Sequence, residues 1–152
     1  MITVIEWFTQ LHYIEHVRDD SDLDGLFRDL LRFHCVEDAQ HAKLDTLLIG
    51  EVAEKLTPEE RKTAIDEVIE LGGAIDGLLA QQIGLNIEAL EKVTGRMFTA
   101  AGKEEITTKT QRARRWTFLV SGLKHSNVVK TVGELTTAGP GKIKGVAEAL
   151  SA

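Results

Sequence analysis

The chain has 152 residues, a net charge of −6 and one cysteine. That length suffices for a single domain with a buried core, the acidic balance speaks against nucleic acid as the main partner, and a lone Cys35 excludes an intramolecular disulfide, as expected in a reducing cytoplasm. No apolar run approaches the roughly 18 residues of a membrane span, and the start MITVIEWF lacks the basic n-region of a signal peptide, so neither membrane insertion nor export is expected.

Leu, Ile, Ala and Glu are plentiful, Pro occurs twice and aromatics are sparse, which points to one all-helical domain over residues 1–152. Residues 3–18 read as a first helix. Val4, Ile5, Trp7, Phe8, Leu11, Tyr13, Ile14 and Val17 leave it apolar on every side, the mark of a buried helix. Because it begins almost at Met1, either a preceding segment or a second copy of the chain is expected to cover it. Glu6 shares a face with Ile2, Gln10, Tyr13 and Val17 and is a candidate buried carboxylate. Thr3-x-x-Glu6 equally fits a capping box, with Glu6 on backbone N–H groups. His12, Glu15 and His16 fit an exposed polar face first and a second metal cluster second.

Residues 19–25 form an acidic turn, with Asp22 or Asp24 expected to cap a long helix over 24–55. Thr57-Pro58-Glu59-Glu60 is a restart signal: a Thr cap, Pro in the first helical position and Glu60 closing the box. The third helix runs from Pro58 towards Thr94 with Gly95 beyond its end. Its expected inward stripe is Leu71, Ile75, Leu78, Leu79, Leu85 and Leu90, with Gln82 and Asn86 as buried, hydrogen-bonded intruders. Gly73, Gly77 and Gly84 share another face, which suits either a close helix approach or a weak, exposed surface. A loop over 98–105 and a helix over 105–123 follow. There Arg112 shares an inner face with Trp116, Leu119 and Leu123 and is expected to meet a carboxylate. Ser126 or Asn127 caps a short helix, Gly139-Pro140-Gly141 breaks it, and residues 142–150 form a last one.

Chemistry concentrates between Leu23 and Val52. At about 100° per residue, Leu23, Phe27, Leu30, Leu31, His34, Asp38, His41, Asp45, Leu48 and Val52 share one stripe. It is apolar at both ends and polar in the middle. Unpaired buried polar groups cost a few kcal/mol, so two imidazoles and two carboxylates in successive turns need partners. A metal satisfies several of them at once, and imidazole with carboxylate suits iron, zinc or manganese. Two other readings stand beside this one. The stripe could face solvent, with Phe33, Val36 and Leu44 turned inward, or it could be a hydrogen-bonded core network. Cys35 points about 100° away from His34 and reads as a small core residue rather than a nucleophile. No phosphate-binding glycine loop or nucleophile elbow is present.

The run from His34 to His41, His-Cys-Val-Glu-Asp-Ala-Gln-His, resembles the second half-site of ferritin-like di-iron carboxylate proteins, in particular the branch with arylamine N-oxygenases and its His-x3-Glu-x2-His helix. The acidic turn and the Leu-Phe-x-x-Leu-Leu run before it fit the same branch. The resemblance covers residues 1–55. It implies a ferritin-like bundle, with His34, Asp38 and His41 as metal ligands and Glu6 as the glutamate of the preceding helix. It also implies iron, in a di-iron site where two metals bind, and oxidase or oxygenase chemistry on a small substrate. Asp38 stands where the family has glutamate, and the family's first helix pair, with its own Glu and Glu-x-x-His, is absent. A second copy in a homodimer, a longer chain, or a relative that lost its metal would each account for that absence. Residues 58–152 are further helices outside the resemblance. The alternative function is a metal-free helical bundle serving as a binding or structural module.

Overall fold

A computed structural model of the chain describes residues 1–152 apart from the side chain of Ile2, so the expected place of Ile2 beside Glu6 lies outside the described residues. Among those residues 85% are helical and none is in a strand, consistent with an all-α bundle. The helices are α1 (Ile2–His16), α2 (Gly25–Ala53), α3 (Pro58–Thr94), α4 (Ala100–Arg115), α5 (Ser121–Lys124), α6 (Ser126–Leu135) and α7 (Gly139–Ser151). A π-helical turn, Trp116–Val120, joins α4 to α5 without a break. No described helix is long and apolar enough to cross a membrane.

Local chemistry sets most of the boundaries. The Asp24 carboxylate accepts from the N–H groups of Leu26 and Phe27 at 3.0 and 3.2 Å and caps α2. Thr57 and Glu60 form the reciprocal capping box at the start of α3, and Gly95, at φ 67°, ends that helix in the left-handed conformation that glycine adopts without strain. The start of α4 differs from expectation. Residues 100–104 are helical rather than loop, because Thr99 Oγ1 accepts from the Gly102 N–H at 3.1 Å. The link before it is short, since the Phe98 N–H donates to the Glu91 carboxylate at 2.7 Å. Ala100-Ala101-Gly102 carries no apolar period to announce this. The cap of α6 is His125, whose Nδ1 accepts from the Asn127 N–H. Gly139 and Pro140 open α7 instead of only ending α6, as proline's missing N–H permits in a first turn.

The core lies in the C-terminal half. Val4 of α1 packs with Val120, Leu123, Val128, Ile143 and Ala147. Gly122 and Gly139 are close-approach glycines, for a Cβ would overlap the Val4 carbonyl oxygen at the first and Val132 at the second. Gly73, Gly77 and Gly84 face open space instead. The chain itself covers much of α1: Val4 and Val17 are buried, Trp7 stacks on His125 at 4.4 Å, and Phe8 meets Phe118 edge-on at 5.4 Å. Ile5 and Ile14 stay exposed.

Helix α3 turns differently from its expected stripe. Ile65, Ile83, Ile87 and Glu91 are buried, while Leu71, Leu78, Leu85 and Leu90 are exposed. Gln82 and Asn86 are hydrogen-bonded, but to each other at 2.8 Å and in solvent. Arg112 is exposed too. The arginine of α4 that meets a carboxylate is Arg115, one turn later, with two bonds of 2.7 Å to Asp76. Those bonds hold the Asp76 carboxyl below its ordinary value of 3.8. A depressed acid contributes stability that is present above the unfolded-state value and is lost as pH falls through the folded-state value. Arg115→Met is therefore expected to cost about 1–3 kcal/mol at pH 7, and urea titrations should show the gap to the native chain closing below pH 4.

Candidate metal centre

Helices α1 and α2 pack antiparallel, and a polar seam runs between them. Thr3 lies beside Asp45, with Oγ1 3.5 Å from Oδ2. Glu6 lies beside His41, with Oε2 3.9 Å from Nδ1. Gln10 Nε2 donates to the Cys35 carbonyl oxygen. As residue numbers rise on α1, the partners fall on α2, and Thr3, Glu6 and Gln10 recur at the three- and four-residue steps of one helix face. The seam decides between the two uses of Glu6: α1 starts at Ile2 with no side-chain cap, so Thr3 is already helical and Glu6 turns to α2. Cys35 is buried, and burial pushes its thiol pKa up, which suits a core residue rather than a nucleophile.

At the middle of the seam, one donor atom each of Glu6, Asp38 and His41 lie within 4.8 Å of one another. His34 Nε2 approaches Asp38 Oδ2 at 3.3 Å from the far side. The carboxylates are shielded, with side-chain exposures of 18% for Glu6 and 7% for Asp38, and the imidazoles are open, at 55% for His34 and 53% for His41. Burial raises the pKa of Glu6, and the neighbouring Asp38 carboxylate raises it further. His41 acts in the opposite direction. Two close carboxylates in a shielded seam call for a shared proton or a cation.

The distances bear on what cation fits. Two donors on one ion at about 2.1 Å lie about 3 Å apart when adjacent and at most about 4.2 Å apart when opposite. The 3.3 Å and 3.9 Å pairs meet that limit. The 4.8 Å span of the three-residue group needs a rotamer adjustment of roughly half an ångström, or a second ion. The donor set, imidazole nitrogen and carboxylate oxygen, suits iron, zinc or manganese.

The four expected site residues are thus brought to one place, three as a group and His34 through Asp38. Asp45, on the same stripe, faces Thr3 one turn away. Gln10, expected on the face of Glu6, and Thr3, expected as its capping partner, complete the seam by bonding across to Cys35 and Asp45 of α2. The inward trio of the solvent-face reading does not form: Phe33, Val36 and Leu44 are 63%, 55% and 56% exposed. The second histidine cluster is not a ligand group among the described residues. His16 Nε2 instead accepts from the Trp116 indole N–H at 3.1 Å. Comparison with protein-family models, curated proteins and solved structures finds no match for this chain.

Proposed function

We propose that this chain is a metal-binding, ferritin-like half-bundle that takes iron at Glu6, His34, Asp38 and His41, and that two copies pair across α2. The convergence of Glu6, Asp38 and His41 carries the reading, because a shielded carboxylate pair beside an imidazole is costly without a cation. Bound iron would supply one-electron and dioxygen chemistry, which would suit oxidase or oxygenase activity on a small substrate. The chain's own part is to hold the ion from a dry seam on one side and through two open imidazoles on the other.

Those open imidazoles motivate the pairing. His34 and His41 share an arc of roughly 60° with Phe27, Leu30, Leu48 and Val52, and all four apolar residues are about half exposed or more. A solvated histidine pair is ordinary; one set within a solvated apolar stripe marks a surface to be covered. The total accessible surface, 9845 Å², exceeds by roughly 2,200 Å² the value usual for a monomer of this mass. Extra exposure of that size per chain is in the range that obligate dimers bury.

A metal-free module is the second reading. It is favoured by the His34–Asp38 contact at 3.3 Å, which gives the buried carboxylate a partner already. Metal retention separates the two. Chain loaded anaerobically with excess ferrous iron and then desalted is expected to keep at least one iron per two chains, and a His41→Ala variant none. Native protein that emerges free of iron supports the metal-free module.

A further inference from the structure

A cavity of about 610 Å³ opens between α2, α3, α6 and the start of α1, beginning at Thr3 and Asp45 one turn along the seam from the carboxylate–histidine group. Its size falls within the roughly 300–1,000 Å³ of small-molecule sites. Val4, Ile49, Val52, Ile65, Val68 and Val132 are among the apolar residues of its wall. Only two charged side chains line it, Asp45 and Arg61. Asp45 already meets Thr3. Arg61 is different: its Nε is buried with no acceptor, and among the described residues no carboxylate forms an ion pair with it. An unpaired guanidinium at the wall of an apolar cavity is placed for an incoming anion.

Position then orients the ligand. Arg61 borders Gly50, Ala53 and Glu54, at the C-terminal end of α2. Asp45 lies two turns earlier, roughly 12 Å along the helix axis. The Arg61 guanidinium thus borders an aliphatic wall, and at the opposite end Asp45 lies beside the amino terminus of Met1. We propose that this cavity binds a monocarboxylate with an extended apolar body, the carboxylate paired to Arg61 and the body lying along Ile49, Val52 and Val68. None of the residues this inference uses is a proposed metal ligand, so it does not depend on the metal, and Val52 alone among them also belongs to the stripe proposed for pairing.

Calorimetric titration of the full chain with octanoate, octanol and octylamine tests it, with and without added iron. Octanoate is expected to bind one per chain, at least tenfold tighter than octanol or octylamine. Arg61→Met, which keeps the stem and removes the charge, should bring octanoate down to the octanol level and leave octanol unchanged. Ala64→Phe, which fills the cavity, should abolish both. If that variant fails to fold, amide shift changes on octanoate addition give the location, and they should centre on Ile49, Ile65, Val68 and Val132. Equal affinity for octanoate and octanol, an unchanged preference in Arg61→Met, shifts centred instead on Phe33 and Leu44, or no octanoate binding at millimolar concentration would each overturn the proposal.

Discussion

Chelator should lower the melting temperature of the native chain and leave a His41→Ala variant where it was. A ligand that binds only the folded state stabilises it by RT ln(1 + [L]/Kd), about 2.7 kcal/mol at a hundredfold excess over Kd. For a domain of this size that is a shift of roughly 5–10 °C. Without metal, His41→Ala at a half-exposed position costs no more than about 0.5 kcal/mol, so a chelator-insensitive native chain would sink the metal reading. Asp38→Glu, which lengthens the buried carboxylate by one methylene, should keep or raise iron affinity. Glu6 gives a sign that a structural role would not. Its folded-state pKa is raised above 4.5 by burial and by Asp38, so the folded chain keeps a proton that the unfolded chain has lost. Ionising Glu6 therefore costs stability as pH rises through that window. Glu6→Gln is expected to raise the melting temperature of the metal-free chain and to abolish the increment on adding iron. Acid should release the metal, because its ligands bind only in their deprotonated forms. A scan of melting temperature against pH and iron for the native chain and the three variants measures all of this.

The second large effect concerns assembly. Sedimentation equilibrium of the native chain at micromolar concentration is expected to give a two-fold dimer, and Leu30→Glu with Leu44→Glu a monomer. Each leucine is more than half exposed in the single chain, at 62% and 56%, so a charge there is tolerated by the fold to within about 0.5 kcal/mol. Buried unpaired at an interface, each charge costs about 3 kcal/mol or more, above a hundredfold in the dimer dissociation constant. An unchanged circular dichroism spectrum with a halved mass is the expected pair of results. A native chain that sediments as a monomer at high concentration would remove the pairing. If the copies complete one another's centre, the double variant should also lose iron retention, although neither leucine is a ligand.

Local order was legible wherever a short-range rule decides it. Asp24, Thr57, Glu60, Pro58 and Gly95 end or begin helices through bonds and dihedrals to neighbours within four residues, and the expected boundaries of α2 and α3 fall within two residues of the observed ones. The grouping of Asp38 and His41, and of His34 with Asp38, was legible for the same reason: three and four residues apart on one helix, they can only be neighbours. Which way a helix turns is not a local property. The sustained period of α3 fits several inward faces almost equally, and docking against α4, α6 and α7 buries Ile65, Ile83 and Ile87 rather than Leu71 and Leu78. In α2 the stripe is split by the same kind of choice. Asp38 and Asp45 turn to α1, while His34, His41 and the leucines around them stay outside, a result that neither an all-inward nor a solvent-face pattern describes. The pairing of Arg115 rather than Arg112 with Asp76, and the meeting of Arg61 with an aliphatic cavity, join residues that are far apart in the chain. No spacing rule reaches across such separations; only the packing of whole helices brings those groups together.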